Sequence, residues 1–321
     1  MQRPAETIVI SCVDGVRLGG HRWASAMQPP QGAIIINAAT GVRAHYYHRY
    51  AQFLSEHGFE VLTYDYRGIG ASRPDTIRHS TFRWRDWGEK DFEAAVRFMH
   101  ATSGQPLQII GHSIGGFLPG LAPSHSLVSR MLTVGAQFAW WGDYHKSQRL
   151  QLFCKWHVVM PALTALFGYF PGQWLGWLED LPKGVANEWS LRRRLFERSY
   201  PKPLRAGVLD NLAAFSAPIL AVVVSDDPLA PEPAIRRALT YYRGAASQVV
   251  RLSPRDYHRA QIGHFDLFHD RHRMGFWQET LLWLREGRNP WPERTCDPMP
   301  SRSRSQMRDG PARCRAPRQG S

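Results

Sequence analysis

Short apolar runs alternate with amphipathic stretches along most of this chain. Continuous apolar or β-branched runs predict buried strands at residues 33–36, 59–64, 107–110, 131–134 and 218–224. Residues 46–57 and 91–100, which lie between these runs, place their apolar side chains at helical spacing. A loop that carries Trp84 and Trp87 is expected before the second of these stretches. Because strands that alternate with helices form right-handed crossovers, the pattern predicts a parallel sheet with helices on both faces.

Two further stretches add strands to this pattern. Residues 7–11 and 16–23 have strand-like patterns and flank Asp14-Gly15, which is a strong turn signal. An antiparallel hairpin is therefore expected to open the sheet. A last strand is predicted at residues 247–252.

The periodicity changes between residues 136 and 211, where prolines and tryptophans become frequent. The tryptophans of this stretch are Trp140, Trp141, Trp156, Trp174, Trp177 and Trp189. We predict an insertion here, between a first part of the core at residues 1–135 and a second part at residues 212–287. Most of these aromatic side chains are expected to pack the insertion onto the body, and a few to line a pocket.

The charge of the chain is strongly positive, with a formal net charge of +13 at pH 7. From Arg288 to the end, eight arginines stand against three acidic residues, and large apolar residues are few. This composition predicts a disordered basic tail over residues 288–321. A basic balance favours polyanions or anionic membrane surfaces. The body shows no nucleic-acid-binding motif, so no specific nucleic-acid partner is predicted.

The four cysteines are scattered and form no C-x-x-C pair, so neither a zinc site nor a disulfide framework is indicated. A cytoplasmic location is expected, since the N-terminus also lacks the apolar core of a signal peptide. The longest nearly apolar run, residues 158–170, contains Pro161 and is shorter than the ~20 residues of a spanning helix. No transmembrane segment is expected. We also predict no metal and no cofactor, because no group of ligating residues has metal-site spacing.

A candidate nucleophile follows the strand at residues 107–110. Gly111-His112-Ser113-Ile114-Gly115 fits G-x-S-x-G, the strained strand-to-helix turn that exposes a serine hydroxyl. Glycines on either side of the serine prevent collisions between side chains and backbone in so tight a turn. Ser113 is therefore the predicted nucleophile.

With the hairpin and this motif, the D-x-R-G-x-G-x-S segment at residues 65–72 makes the chain resemble the α/β-hydrolase superfamily over residues 7–287. Asn-Ala-Ala-Thr-Gly-Val at 37–42 and Tyr-Asp-Tyr-Arg-Gly-Ile-Gly at 64–70 are similar to segments of predicted bacterial serine hydrolases related to serine aminopeptidases and lysophospholipases. The resemblance implies a mostly parallel, eight-stranded twisted sheet with helices on both faces. It also implies that residues 136–211 form a helical cap, or lid.

The resemblance supplies candidates for an acid and a base in the order Ser, Asp, His. Asp227 fits the D-x-x-x-P pattern of the superfamily after the strand at 218–224. Asp226 is the alternative, although it would equally cap the turn. Gly-His-Phe at 263–265 resembles the loop that presents the catalytic histidine, which makes His264 the candidate base. His269 and His272 are competitors in the charged segment that follows, and His112 is expected to be structural.

These residues imply a familiar mechanism. His264 would take the proton of Ser113, and Asp227 would hold the imidazole in the productive tautomer. The backbone N–H groups of Ile114 and Ala39 would donate to the oxyanion. Arg67 is expected to tie a strand end to the cap rather than to bind substrate.

The sequence thus predicts a serine hydrolase acting on a carboxylic ester or a related small-molecule acyl substrate. A peptidase, thioesterase or lysophospholipase would use the same residues. One alternative is a catalytically silent protein of the same fold that binds a small ligand. Another is a polyanion-binding protein that acts through its basic tail. The acyl and leaving groups depend on how the insertion folds, and the oligomeric state stays open.

Overall fold

The main sheet of this chain has eight strands, in a computed structural model that describes residues 5–296. In spatial order the strands are β1 (Glu6–Ser11), β2 (Arg17–Trp23), β4 (Phe59–Tyr64), β3 (Gly32–Asn37), β5 (Leu107–His112), β6 (Val128–Val134), β9 (Ile219–Val224) and β10 (Ser247–Leu252). β2 pairs antiparallel with β1 and β4, and every other pair is parallel. The predicted sheet and its opening hairpin are confirmed.

Helices connect these strands as the periodicity predicts. They are α1 (His48–Glu56), α2 (Trp84–Asp86), α3 (Glu93–Ser103), α4 (Arg149–Phe153), α5 (Met160–Phe167), α6 (Lys183–Ser190), α7 (Arg205–Ala214), α8 (Glu232–Leu239) and α9 (Gln278–Glu286). β3, β5 and β9 are buried at every residue, which agrees with their continuous apolar sequences. Register places Asn37 of β3 beside Gly111 of β5, two residues before Ser113.

The helical segment before β5 is longer than the pattern of residues 91–100 predicts. α2 leads through a π-helical turn at Trp87–Phe92 into α3. The start is fixed by Asp86, whose carboxylate accepts the Arg83 N–H at 2.8 Å. The expectation of a loop around Trp84 and Trp87 is therefore wrong. Trp84 begins α2, Trp87 begins the π-helical turn, and both indoles are buried.

Between β6 and β9 the chain leaves the main sheet, over residues 135–218, which we call the insert. It contains α4 to α7 and a small antiparallel sheet of β7 (Tyr169–Phe170) and β8 (Leu181–Pro182). The predicted boundary at residue 211 falls inside α7. That helix packs on the body, where the Asn211 side chain donates to the Gly120 carbonyl at 3.0 Å.

α4, a π-helical turn at Cys154–Val159 and α5 form one continuous helix, Arg149–Phe167. Its 19 residues are long and apolar enough to cross a membrane by length and composition alone. No such helix was expected, because Pro161 interrupts the apolar run. Pro161 instead lies in the first turn of α5, directly after the π-helical turn, where a missing N–H is tolerated.

The prediction of disorder from Arg288 onward is wrong for residues 288–296. Trp291 is buried and stacks on Phe276, with ring centroids 5.7 Å apart. Thr295 forms a bridge to Val250, and the Cys296 N–H donates to the Val249 carbonyl at 2.8 Å. The rest of the predicted tail, residues 297–321, lies outside the described residues.

The cysteines are in two states. Cys12 and Cys154 are free thiols, whereas Cys296 is disulfide-bonded. The scattered cysteine pattern predicted no disulfide framework and gave no sign of this bond.

Candidate active site

Ser113 occupies the sharp turn between β5 and a short 3₁₀ helix at Ser113–Gly116. Its φ of 54° lies in the left-handed region, which costs a non-glycine residue about 1–3 kcal/mol. A Cβ atom at Gly111 would come within 2.3 Å of the Gly116 Cα, and one at Gly115 within 2.4 Å of the Asn37 carbonyl oxygen. The local fold therefore requires both glycines of the motif.

His264 and Asp227 form a buried pair at the same edge of the sheet. The His264 Nδ1 lies 2.6 Å from the Asp227 Oδ2. Because an ionised carboxylate only accepts hydrogen bonds, Nδ1 carries the proton, and Nε2 is left as the basic nitrogen. The other Asp227 oxygen accepts the N–H groups of Leu229 and Ala230 at 2.9 and 3.0 Å, which fixes the carboxylate.

Asp226 has a different position from its neighbour. Its two carboxylate oxygens accept the N–H groups of Ile262 and Gly263 at 3.0 and 3.1 Å. These residues directly precede His264. Asp226 therefore caps the loop that carries the histidine, while Asp227 contacts the imidazole.

A buried hydrogen-bond chain joins the loop after β3 to the histidine loop. The Ala39 N–H donates to the Tyr47 hydroxyl at 3.0 Å, and Tyr47 Oη lies 2.7 Å from His112 Nδ1. His112 Nε2 lies 2.8 Å from the His264 carbonyl oxygen. A carbonyl only accepts, so Nε2 must carry the His112 proton and the Tyr47 hydroxyl must donate to Nδ1.

We call this hydrogen-bond chain the Tyr47–His112 relay, and its histidine is neutral because it is buried. Burial lowers the pKa of His112 well below its usual value, and the nearby His264 lowers it further. Burial also raises the pKa of the Tyr47 hydroxyl, so that it stays a donor. The structural role expected for His112 agrees with these contacts, but the sequence gave no reason to connect it with Tyr47.

The relay alters the expected oxyanion site. Ile114 directly follows Ser113 at the start of the 3₁₀ helix, as the motif requires. Ala39 lies after β3 as predicted, but its N–H already donates to Tyr47. An oxyanion at this position would have to share that N–H with Tyr47 or displace the tyrosine.

Gly135 is a further site residue that the sequence analysis missed. It follows β6 with a φ of 59°, and a Cβ there would lie 3.1 Å from Asp227 Oδ2 and 3.2 Å from His264 Cε1. A side chain at this position would force the carboxylate or the imidazole to shift by a few tenths of an ångström. The sequence signal was a glycine directly after the predicted strand at 131–134.

The site is closed in this structure. Ser113 and His264 expose only 7% and 8% of their surface. Among the described residues, the Ser113 hydroxyl makes no hydrogen bond with the His264 imidazole. Catalytic hydrogen bonds often tighten only when substrate binds.

The insert is fastened to the loop after β3. The Glu179 N–H donates to the Gly41 carbonyl at 2.9 Å, and the Glu179 carboxylate pairs with Arg43 at 2.9 Å. Asp180 pairs with Arg73 at 3.1 Å. We call these two ion pairs the insert anchors, since they join the insert to loops on either side of β4.

Two clefts lie beside the site rather than over it. One, of about 470 Å³, is bordered by His21, His48 and Asp65, and the other, of about 340 Å³, is bordered by His48 and Phe268. Neither is lined by Ser113, Asp227 or His264.

The other candidates lie elsewhere. His272 Nε2 pairs with Asp266 Oδ2 at 2.8 Å, and His269 is exposed next to Asp270. Within residues 5–296, no group of three or more histidine, cysteine or acidic residues could hold a metal ion.

Arg67 was expected to tie the strand end to the insert, but it ties the strand end to the body instead. Its Nε donates to Asp91 at 2.6 Å and its Nη1 donates to Asp14 at 2.7 Å. Asp14 belongs to the turn of the opening hairpin and Asp91 to the helical segment before α3. The guanidinium is therefore structural, with partners different from those predicted.

Comparison with protein families found a match to the model described as serine aminopeptidase, S33, over residues 28–164. That range runs from before β3 through the Ser113 turn into the insert. Comparison with the curated protein sequences found no match.

Several solved structures are similar to this chain. A soluble variant of monoglyceride lipase from Saccharomyces cerevisiae is 14% identical, with a TM-score of 0.64 over 88% of this chain and 94% of that one. An esterase from Pyrococcus furiosus is 14% identical, with a TM-score of 0.58 over 88% and 91%. An esterase from Exiguobacterium antarcticum is 17% identical, with a TM-score of 0.55 over 88% and 100%. At these identities the likeness is one of fold.

Proposed function

We propose that this chain, whose fold is that of the α/β-hydrolases, hydrolyses a carboxylic ester or a related acyl substrate through Ser113, His264 and Asp227. The observation that carries the proposal is the 2.6 Å contact between His264 Nδ1 and Asp227 Oδ2. In the neutral imidazole this contact places the proton on Nδ1, so that Nε2 is the basic nitrogen at the sheet edge where Ser113 occupies its strained turn. Esterases and a monoglyceride lipase among the similar folds support the ester class.

The chemistry follows from these positions. As the Ser113 oxygen attacks the acyl carbon, His264 Nε2 takes the hydroxyl proton, and Asp227 stabilises the imidazolium. The tetrahedral intermediate collapses when His264 protonates the leaving oxygen, which leaves an acyl-enzyme on Ser113. Water, deprotonated by the same nitrogen, then attacks the acyl carbon and releases the acid.

Ile114 and Ala39 supply the proposed N–H donors to the oxyanion. Such donors act on charge that develops in the transition state, and losing one costs ~10²–10³ in rate. The Ala39 N–H would turn from the Tyr47 hydroxyl toward the oxyanion at this step. The insert would serve as a cap that opens to admit substrate, since the site is closed in this structure.

Labelling with a fluorophosphonate tests the proposal, because this probe forms a covalent bond with an activated serine. We expect the labelled peptide to contain Ser113. Ser113→Ala should abolish both labelling and turnover of p-nitrophenyl butyrate, while Ser129→Ala, at an ordinary serine of β6, should leave both intact. A folded wild-type protein that shows neither labelling nor turnover would favour a silent ligand-binding protein instead.

A peptidase is the second candidate, because the family model that matches residues 28–164 describes a serine aminopeptidase. Both candidates share the serine chemistry. Turnover of aminoacyl p-nitroanilides well above that of p-nitrophenyl esters of similar size would favour the peptidase.

A further inference from the structure

The helix Arg149–Phe167 exposes an apolar face. Its inward side is one row of buried residues spaced four apart, Leu152, Trp156, Met160 and Thr164. On the opposite side lie Leu150, Val158 and Leu166, of which the first and last expose 76% and 73% of their surface. Surface helices normally present polar side chains outward. We call Leu150, Val158 and Leu166, with the residues between them, the apolar face.

Two exposed tryptophans lie at the ends of this helix. Trp141 contacts Phe153 near its start, with ring centroids 5.2 Å apart. Trp174 contacts Phe167 at its end, with centroids 6.3 Å apart, and exposes 76% of its surface. Indole rings favour the boundary between hydrocarbon and water, because one edge is apolar and the N–H requires a polar partner.

The charge around the apolar face has one sign. No aspartate or glutamate occurs between Tyr144 and Leu178, whereas Lys146, Arg149 and Lys155 do. Lys155 Nζ lies over the rings of Trp156 and Trp177, at 4.5 and 4.1 Å from their centroids. This segment therefore combines exposed apolar surface with positive charge and carries no acidic side chain.

We propose that the apolar face docks on the surface of an anionic lipid membrane, with the helix lying in the interface. Apolar side chains would enter the boundary of the acyl region, while the lysines and arginine meet negative headgroups. If this helix crossed the bilayer, its row of buried residues would have to separate from the rest of the insert. Trp156 of that row stacks on Trp189 of α6 at 4.5 Å, which holds the helix to the insert.

A second copy of this chain is a less suitable occupant. Contact between two apolar faces would bring together two copies of the same basic segment, which carries Lys146, Arg149 and Lys155. With no acidic residue in the segment, that contact would join like charges without compensation. Negative lipid headgroups supply the compensation.

The test is flotation of the full chain with two kinds of vesicle. One contains phosphatidylcholine alone, and the other contains equal amounts of phosphatidylcholine and phosphatidylglycerol. We expect strong binding to the mixed vesicles, weak binding to phosphatidylcholine, and a fall in binding with added salt. The double variant Val158→Asp/Leu166→Asp should lower the partition coefficient for mixed vesicles on the order of tenfold or more.

Matched variants separate the apolar face from other surfaces. Met274→Asp changes a side chain that is 83% exposed on the body, and it should bind like the wild type. Lys146→Gln/Arg149→Gln should weaken binding to the mixed vesicles, whereas Arg17→Gln/Arg255→Gln, exposed arginines of the body, should not. The basic residues after Arg288 are the same in every variant, so they cannot produce these differences.

Three results would overturn the proposal. The first is equal vesicle binding by the wild type and the Val158→Asp/Leu166→Asp variant, with unfolding temperatures that show both to be folded. The second is a dimer in sedimentation velocity that this variant alone disrupts, which would make a second copy the occupant. The third is resistance of the membrane-bound protein to alkaline extraction, which would indicate a spanning helix.

Discussion

At the scale of single residues, two adjacent carboxylates have separate functions. Asp227 contacts the His264 imidazole, and Asp226 accepts from the backbone of the loop that carries it. The first interaction fixes the tautomer of the histidine, and the second fixes where the loop lies. Replacing each by its amide therefore probes two different steps.

We predict that Asp227→Asn lowers kcat for p-nitrophenyl butyrate by on the order of 10⁴, since an amide NH₂ group at this position favours the wrong tautomer of His264. Asp226→Asn keeps the shape but removes one acceptor for the Ile262 and Gly263 N–H groups. It should cost far less in kcat and should lower the unfolding temperature slightly. Steady-state kinetics on the two purified variants distinguish them, and the opposite ranking would assign the catalytic acid to Asp226.

Tyr47 is a positioning residue in this scheme. Tyr47→Phe removes the donor to His112 Nδ1 and the acceptor for the Ala39 N–H, while the ring remains in place. We expect kcat to fall about tenfold or more with KM nearly unchanged, because His112 and the Ala39 N–H each lose the hydrogen bond that positions them. Tyr46→Phe, which removes a hydroxyl that donates to the Phe265 carbonyl at 3.0 Å, is the matched control.

A purely structural role for Tyr47 would produce a different result. The unfolding temperature of Tyr47→Phe would then fall, while kcat per folded molecule would stay at the wild-type value. Measuring both quantities on the same sample separates the two outcomes.

At the scale of elements, the insert anchors hold the covering segment over the loop after β3. Both ion pairs are partly exposed, so each contributes only about 0–1 kcal/mol to stability. Their effect should therefore be on access rather than on folding. In the proposed function, the insert would then control access without contributing much to the stability of the fold.

We predict that Glu179→Gln/Asp180→Asn raises kcat/KM for p-nitrophenyl octanoate more than for the acetate, because the longer acyl chain needs a wider opening. The unfolding temperature should change by no more than a few degrees, as expected for exposed pairs. Glu286→Gln, which breaks the exposed pair with Arg288 at 2.9 Å, is the control. Equal rate changes for both esters would show that the anchors do not limit access.

Elements whose signals are local could be predicted from the sequence. The turn at Ser113 depends on glycines within three residues, and β3, β5 and β9 show themselves as continuous apolar runs. By contrast, the partners of Tyr47, Asp226 and Arg67 lie far away in the chain, and no periodicity encodes such contacts. The resemblance implied the order of Asp227 and His264 along the chain, whereas only the structure shows the hydrogen bond between them.

Two element predictions failed for physical reasons. The stretch around Trp84 has no clear apolar period, because its indoles pack against both the body and the insert, where Trp84 stacks on Trp189 at 6.0 Å. Residues 288–296 lack a continuous apolar run, yet the Trp291 ring on Phe276 and the bridge between Thr295 and Val250 hold them to the body. In both places tertiary contacts outweigh local composition.

At the scale of the whole molecule, buried histidines link stability to pH. Burial, with help from the neighbouring His21 and His45, lowers the pKa of His48 to about 4. An unfolded histidine titrates near 6.5, so between about pH 6.5 and 4 the unfolded state binds more protons than the folded state. His48 therefore contributes a loss of stability as the pH falls through this window, and the lowered pKa of His112 acts in the same direction.

We predict that the unfolding temperature of the wild type falls between pH 7 and pH 4.5, and that His48→Gln makes this fall less steep. Glutamine cannot take up a proton, so it removes one of the groups that favour unfolding in acid. His100→Gln, at an exposed position on α3, should leave the slope unchanged. Parallel slopes for His48→Gln and the wild type would exclude His48 as a contributor.

The short segment around Trp291 also affects how the molecule meets other proteins. β10 is the outermost strand on its side of the main sheet, and such a strand offers free amide and carbonyl groups to any extended chain that approaches. Thr295 and Cys296 lie against Val249 and Val250 and occupy part of that row. The segment therefore blocks strand addition from outside and lowers the tendency of the folded molecule to aggregate through this edge.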